Sequence, residues 1–156
     1  MAGLTLRIMR WFKKQAPAVP PPVSSDYDTV WNRAVMEEGG TSPRAGDRAL
    51  ADLLRFHSVS MNGGVLHGLE VRSDDEVSAA VAGYKYFGLD QAAAAVEWLV
   101  AAASANDLDN HHEAAERLEI EGDERYAKAV PTDATLVTAF EHRYRDNPEE
   151  FAPVSG

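Results

Sequence analysis

Residues 91–104, QAAAAVEWLVAAAS, constrain the fold more than any other segment. Alanine is the best helix former and a poor strand former, so the run is a helix. Its apolar residues nearly encircle the helix axis, and a helix that is apolar all round belongs inside a protein. Glu97 interrupts the run, and the apolar stretch 92–103 is too short to cross a bilayer. The expectation is therefore an all-α, single-domain, multi-helix bundle with this alanine-rich helix at its centre, capped by Asp90.

The other segments agree. Ser25 precedes Asp28 by three residues, a capping spacing for a helix over 27–37 that Gly39-Gly40 stops. Ser42-Pro43 reads as a cap and first-turn proline, opening a helix to about 60 with Leu50, Leu53, Leu54 and His57 on its inner face. Asn62-Gly63-Gly64 reads as a break or tight turn. Ser73 and Glu76 form a capping box before a helix that ends at Gly88. Beyond the alanine-rich run, a helix is expected over 109–118, a short one over 124–129, and a last one from Thr132 to about 145. Leu136, Val137, Phe140 and Tyr144 face inward on that last helix. No run of alternating strand residues appears.

The chain of 156 residues has room for one domain and a short tail. Without cysteine it holds no disulfide or thiolate metal site. Its charge is divided: residues 1–22 carry Arg7, Arg10, Lys13 and Lys14 and no acid, while the remainder carries 11 basic and 25 acidic groups. On a helical wheel for 1–14, Leu4, Ile8, Met9, Trp11 and Phe12 oppose those four bases, the pattern of a helix on an anionic membrane surface. The alternative is a tail, or a helix docked on the body. Four prolines at 17 and 20–22 make the next stretch a semi-rigid linker. The expected division is 1–25 for basic segment and linker, 26–151 for the domain, and 152–156 for a tail.

The sequence SVSMNGGV at 58–65, following Trp31 and an amphipathic helix, resembles the hallmark Asn62-Gly63-Gly64 turn of the DNA-mimic protein (DMP) family. That family is a bacterial domain class largely without assigned function. The resemblance continues through Phe87-Gly88, the alanine-rich helix, the acidic Leu118, Asp123, Tyr126 segment, and Tyr144, Asn147-Pro148 and Phe151. It covers about 31–151. Val65 and His67 depart from it, standing where the family usually has an aromatic and a glutamine. The resemblance implies an all-helical, often self-associating protein, so a homodimer is an expectation. In the family, one member imitates DNA to occupy a DNA-binding regulator.

The candidate partner surface is the acidic stretch 107–124. Asp107, Asp109, Glu113, Glu116, Glu119, Glu121, Asp123 and Glu124 stand there against the single base Arg117. Asp109, Glu113 and Glu116 are expected on one helix face, a row of carboxylates that a basic DNA-binding face would accept. The bland reading is a solvated helix face. His111-His112 diverge on a helix and make a poor metal site, and the calcium-loop positions at 112 and 118 hold the wrong residues, so no metal or cofactor is expected. No nucleophile signature is present, so no enzyme is expected. The body's acidity repels nucleic acid, which leaves a basic protein as partner. Three roles remain: an acidic binder mimicking DNA, an immunity or antitoxin-like binder of a basic toxin, and a membrane-peripheral adaptor contacting lipid through residues 1–14. The expected location is the cytoplasm, or the periphery of the inner membrane.

Overall fold

A computed structural model describes residues 25–155. The basic segment with Arg7, Arg10, Trp11, Phe12, Lys13 and Lys14, and most of the linker, lie outside the described residues. Seven α-helices follow one another: α1 (Asp26–Glu37), α2 (Ala45–Gly63), α3 (Val65–Val71), α4 (Asp74–Tyr86), α5 (Asp90–Ser104), α6 (His112–Ala129) and α7 (Asp133–Asp146). A 3-10 turn at Pro148–Glu150 follows, and no strand occurs among the described residues. The all-α expectation holds. None of these helices is long and apolar enough to cross a membrane.

Two expected caps form as read. The Ser25 hydroxyl accepts from the Asp28 N–H at 3.2 Å and the Asp28 carboxylate accepts from the Ser25 N–H at 3.3 Å. Ser73 and Glu76 exchange the same pair at 3.2 and 3.0 Å. Two others do not. Helix α2 opens at Ala45, two residues beyond Pro43, because the Asp47 carboxylate accepts the Arg44 N–H at 3.0 Å and makes Arg44 the cap. Asp90 is the first residue of α5 rather than its cap, and no side chain caps that end.

The Asn62-Gly63-Gly64 turn is a junction of two helices. Gly63 ends α2, and Gly64 alone separates it from α3, a helix the sequence reading missed. Gly64 has φ of +92°, a conformation that needs glycine. Its N–H still donates to the Ser60 carbonyl at 2.8 Å, and its own carbonyl accepts from Gly68, so the chain bends without losing either backbone bond.

The most buried helix is α2, which contributes nine buried residues to the five of α5. It packs against α1, α3 and α4, while α5 packs between α4 and α6. The alanine-rich helix is therefore not the centre. It buries Ala92, Ala93, Ala95, Val96 and Leu99 and leaves Ala94, Val100 and Ala101 exposed.

Residues 152–154 are no loose tail. Arg33 donates to the carbonyls of Ala152 (2.9 Å) and Pro153 (3.4 Å), and Val154 packs on the core. Phe151 is buried among Phe87, Phe140 and Tyr144, over Gly46, where a β-carbon would lie 2.6 Å from its ring. Arg143 grips Glu150 with two hydrogen bonds of 2.7 and 2.8 Å, and the Tyr86 hydroxyl donates to the same carboxylate. Arg143, then Tyr86, hold the Glu150 carboxyl below its usual range; burial, then that same bond, push Tyr86 up to about 12. A carboxyl depressed in the folded state stabilises above its unfolded value of about 4.3, and that stability is lost as pH falls through the folded value. Wild-type melting temperature should thus fall more steeply between about pH 5 and pH 3 than that of Glu150→Gln. Parallel curves by circular dichroism would mean the grip contributes nothing.

Candidate protein-interaction surface

Helix α6 turns one narrow face inward. Gly122 and Tyr126 are buried, Leu118 and Ala129 are half-buried, and the rest is largely exposed. The two helices expected at 109–118 and 124–129 are thus one helix of 18 residues. It holds together across 119–123 because Gly122 lets it close on α5: a β-carbon there would stand 3.0 Å from Leu99. Val130 and Pro131 then end it.

The eight predicted acids divide by environment. Asp107 and Asp109 are exposed in the α5–α6 loop, so Asp109 does not share a helix face with Glu113 and Glu116 as expected. Asp107 accepts from the Asn110 side chain at 2.7 Å, and its carbonyl accepts from His111 Nδ1–H at 2.9 Å, which fixes the loop. Glu113, Glu116, Glu119 and Glu124 are exposed on α6 and make no hydrogen bond or ion pair among the described residues. Glu113, Glu116 and Glu124 follow at i, i+3 and i+11, one outward stripe about 16 Å long. Ile120, 54% exposed, sits within that stripe. Glu121 is exposed but committed: Arg125 donates to it at 2.8 and 3.1 Å while stacking 4.0 Å over the Trp98 ring.

Asp123 belongs to the scaffold instead. Its carboxylate accepts the Val65 N–H at 2.9 Å, capping α3, and lies where any side chain at Gly64 would intrude. The Asn62-Gly63-Gly64 turn and the acidic segment, nearly 60 residues apart, are therefore one structural unit. Asn62 remains exposed beside it. With Asp123 and Glu121 set apart, six exposed carboxylates remain over 107–124 against the one cation Arg117.

The buried polar chain beneath was not foreseen. The Tyr84 and Tyr126 hydroxyls meet at 2.5 Å, Tyr126 meets His57 Nδ1 at 2.8 Å, and His57 Nε2 meets Asp133 at 2.9 Å. With Nε2–H donating to Asp133, His57 Nδ1 accepts from Tyr126, whose oxygen accepts from Tyr84. Burial raises the Tyr126 hydroxyl, against the hydrogen bond with Tyr84, which lowers it, and with the nearby Asp133 charge, which raises it; burial first, then Tyr126, raises Tyr84. Both His57 nitrogens are used internally, so the chain satisfies buried groups and offers no free base. The sequence showed His57 on an inner face, but its partners lie 69 and 76 residues away.

Among the described residues, no group of three or more His, Cys, Asp or Glu is placed to hold a metal ion. A concavity of about 710 Å³ lies between α4 and α5, away from α6. No family model, no curated protein and no solved structure matches the chain.

Proposed function

We propose that this protein is an interaction module that binds a basic macromolecular partner through the α5–α6 loop and the outer stripe of α6. The observation that carries this is the set Glu113, Glu116, Glu119 and Glu124, exposed on one helix and engaged in no hydrogen bond or ion pair among the described residues, with Arg117 and Lys128 the exposed cations beside them. Carboxylates fixed in this way raise the association rate with a basic surface and select it against acidic ones. A row about 16 Å long presents charge along a line, as a nucleic-acid strand does, though more sparsely. The resemblance to the DMP family supports occupation of a DNA-binding protein as the specific form of this binding.

Affinity capture from the native cell identifies the partner class: a DNA-binding protein agrees with the mimicry, and a basic toxin replaces it by an immunity role. With that partner, the triple variant Glu113→Gln, Glu116→Gln, Glu124→Gln keeps side-chain shape and removes three charges. Its association rate should fall about tenfold or more at low ionic strength, and the difference should shrink as salt shortens the Debye length below about 8 Å. Asp123→Asn is the contrast: it should lower thermal stability through α3 and leave the association rate nearly unchanged. If the triple variant associates as fast as wild type at every salt concentration, α6 is a solvated face and the proposal is wrong.

A further inference from the structure

The groove between α4 and α5 points to an occupant. Its floor is apolar: Leu69, Val77 and Val81 on one side, Val100, Ala101 and Ala103 on the other. Val100 is 39% exposed there. The sequence of α5 is that of a helix covered all round, yet between its contacts with α4 and α6 it leaves Ala94, Val100 and Ala101 exposed. The rim is acidic: Lys85 is matched by Glu97 at 2.6 Å, while Asp74 and the adjacent exposed Asp75 make no ion pair among the described residues.

We infer that the basic amphipathic segment, residues 1–14 of the same chain, docks in this groove. Leu4, Ile8, Trp11 and Phe12 repeat at i, i+4, i+7 and i+8, the spacing with which a helix fills a groove between two others. The small residues Ser78, Ala82, Ala101 and Ser104 along the groove allow a close approach. Arg7 and Lys14, which flank that stripe on the helical wheel, meet the surplus charge of Asp74 and Asp75 at the rim. The ten residues 15–24 span roughly 31 Å as polyproline, comparable to the width of roughly 36 Å of a domain of about 130 residues whose radius of gyration is roughly 14 Å. A tether this short gives an effective concentration in the millimolar range, which favours the chain's own segment over a second copy at micromolar concentration. Docking also withdraws Trp11 and Phe12 from lipid, so the segment meets a membrane only when released. None of this rests on the acidic stripe of α6.

The absence of cysteine makes the test specific. In the full chain, Gly3→Cys carries a nitroxide on the arc away from the apolar residues, and amide resonances are compared before and after its reduction. Val81, Lys85, Val100 and Ser104 should lose more than half their intensity while amides of α1 keep theirs. The loss should disappear in Trp11→Ser, which lies outside the helical domain, and in Val100→Lys, at an exposed site. Broadening centred on 107–124 would place the segment on the acidic stripe and overturn the docking. Equal broadening of an isotope-labelled chain mixed with an unlabelled, nitroxide-bearing one would make the contact intermolecular and overturn it too. So would the absence of localised broadening.

Discussion

Replacing Asp47 with alanine is expected to cost about 3–5 kcal/mol of folding stability, the range for removing one partner of a buried ion pair. Asp47 is fully buried. One oxygen accepts from Arg33 Nη2 at 2.7 Å; the other accepts from the N–H groups of Arg44 at 3.0 Å and Ala152 at 2.6 Å. A single carboxylate thus joins α1, the start of α2 and the C-terminal segment. Without it, the Arg33 guanidinium stays mostly buried and unpaired and two amides lose their acceptor, while Arg33 Nε already has no partner among the described residues. Against a total of about 5–15 kcal/mol for a domain of this kind, the loss approaches unfolding. Urea denaturation measures it, and hydrogen exchange at Phe151 locates it, because release of 147–154 exposes that ring. Asp47→Asn should fall between, since an amide supplies one acceptor but points a donor at another donor. The double variant Arg33→Met, Asp47→Leu should recover part of the loss by removing both charges. A cost for Asp47→Ala below about 1 kcal/mol, the value of an exposed pair, would mean the carboxylate holds nothing.

This carboxylate marks where the sequence stopped being readable. Helix type was legible because α1, α4 and α5 announce themselves within a few residues, through Ser25 and Asp28, through Ser73 and Glu76, and through the alanines of α5, whereas α3 was missed and α6 was read as two helices. Long-range polar partners were not. Nothing near Asp47 says that its third donor is Ala152, 105 residues on. Local reading therefore assigned the cap to Ser42-Pro43. Asp123 was counted with the acidic stripe for the same reason: its role depends on the Val65 N–H, brought to it by α3 packing on α6. The gap expected between 118 and 124 does not form, because packing carries the helix through Gly122. Gly122 costs helix propensity and returns it as contact with Leu99. Of the acidic surface, Glu113, Glu116, Glu119 and Glu124 were legible as exposed charge. That Glu121 is taken by Arg125 follows from i,i+4 spacing and was also within reach of the sequence.

Gly83→Ala should destabilise even though alanine favours a helix over glycine by about 1 kcal/mol. Gly83 lies within α4 where that helix crosses α2, the most extensive helix pair in the fold. A β-carbon at Gly83 would stand 2.5 Å from the Ala49 carbonyl oxygen and 3.3 Å from the Leu53 β-carbon. The first obstacle is backbone inside a helix, which cannot rotate away as a side chain can. The two helices must separate, and separation loosens Leu50, Leu53, Ala80 and Tyr84, all at most 1% exposed. Overpacking of this kind costs about 1–3 kcal/mol or more, so the propensity gain is outweighed and the net sign is a loss. Gly63→Ala is the control. It also sits in a helix, but the three atoms nearest its new β-carbon all belong to the ring of His67, a half-exposed side chain that can turn aside. There the propensity term should prevail, leaving the protein as stable as wild type or slightly more so. Thermal melts of the two variants should bracket wild type, with Gly83→Ala lower by several degrees. The reverse order would mean that the α2–α4 crossing is looser than 2.5 Å from β-carbon to carbonyl allows.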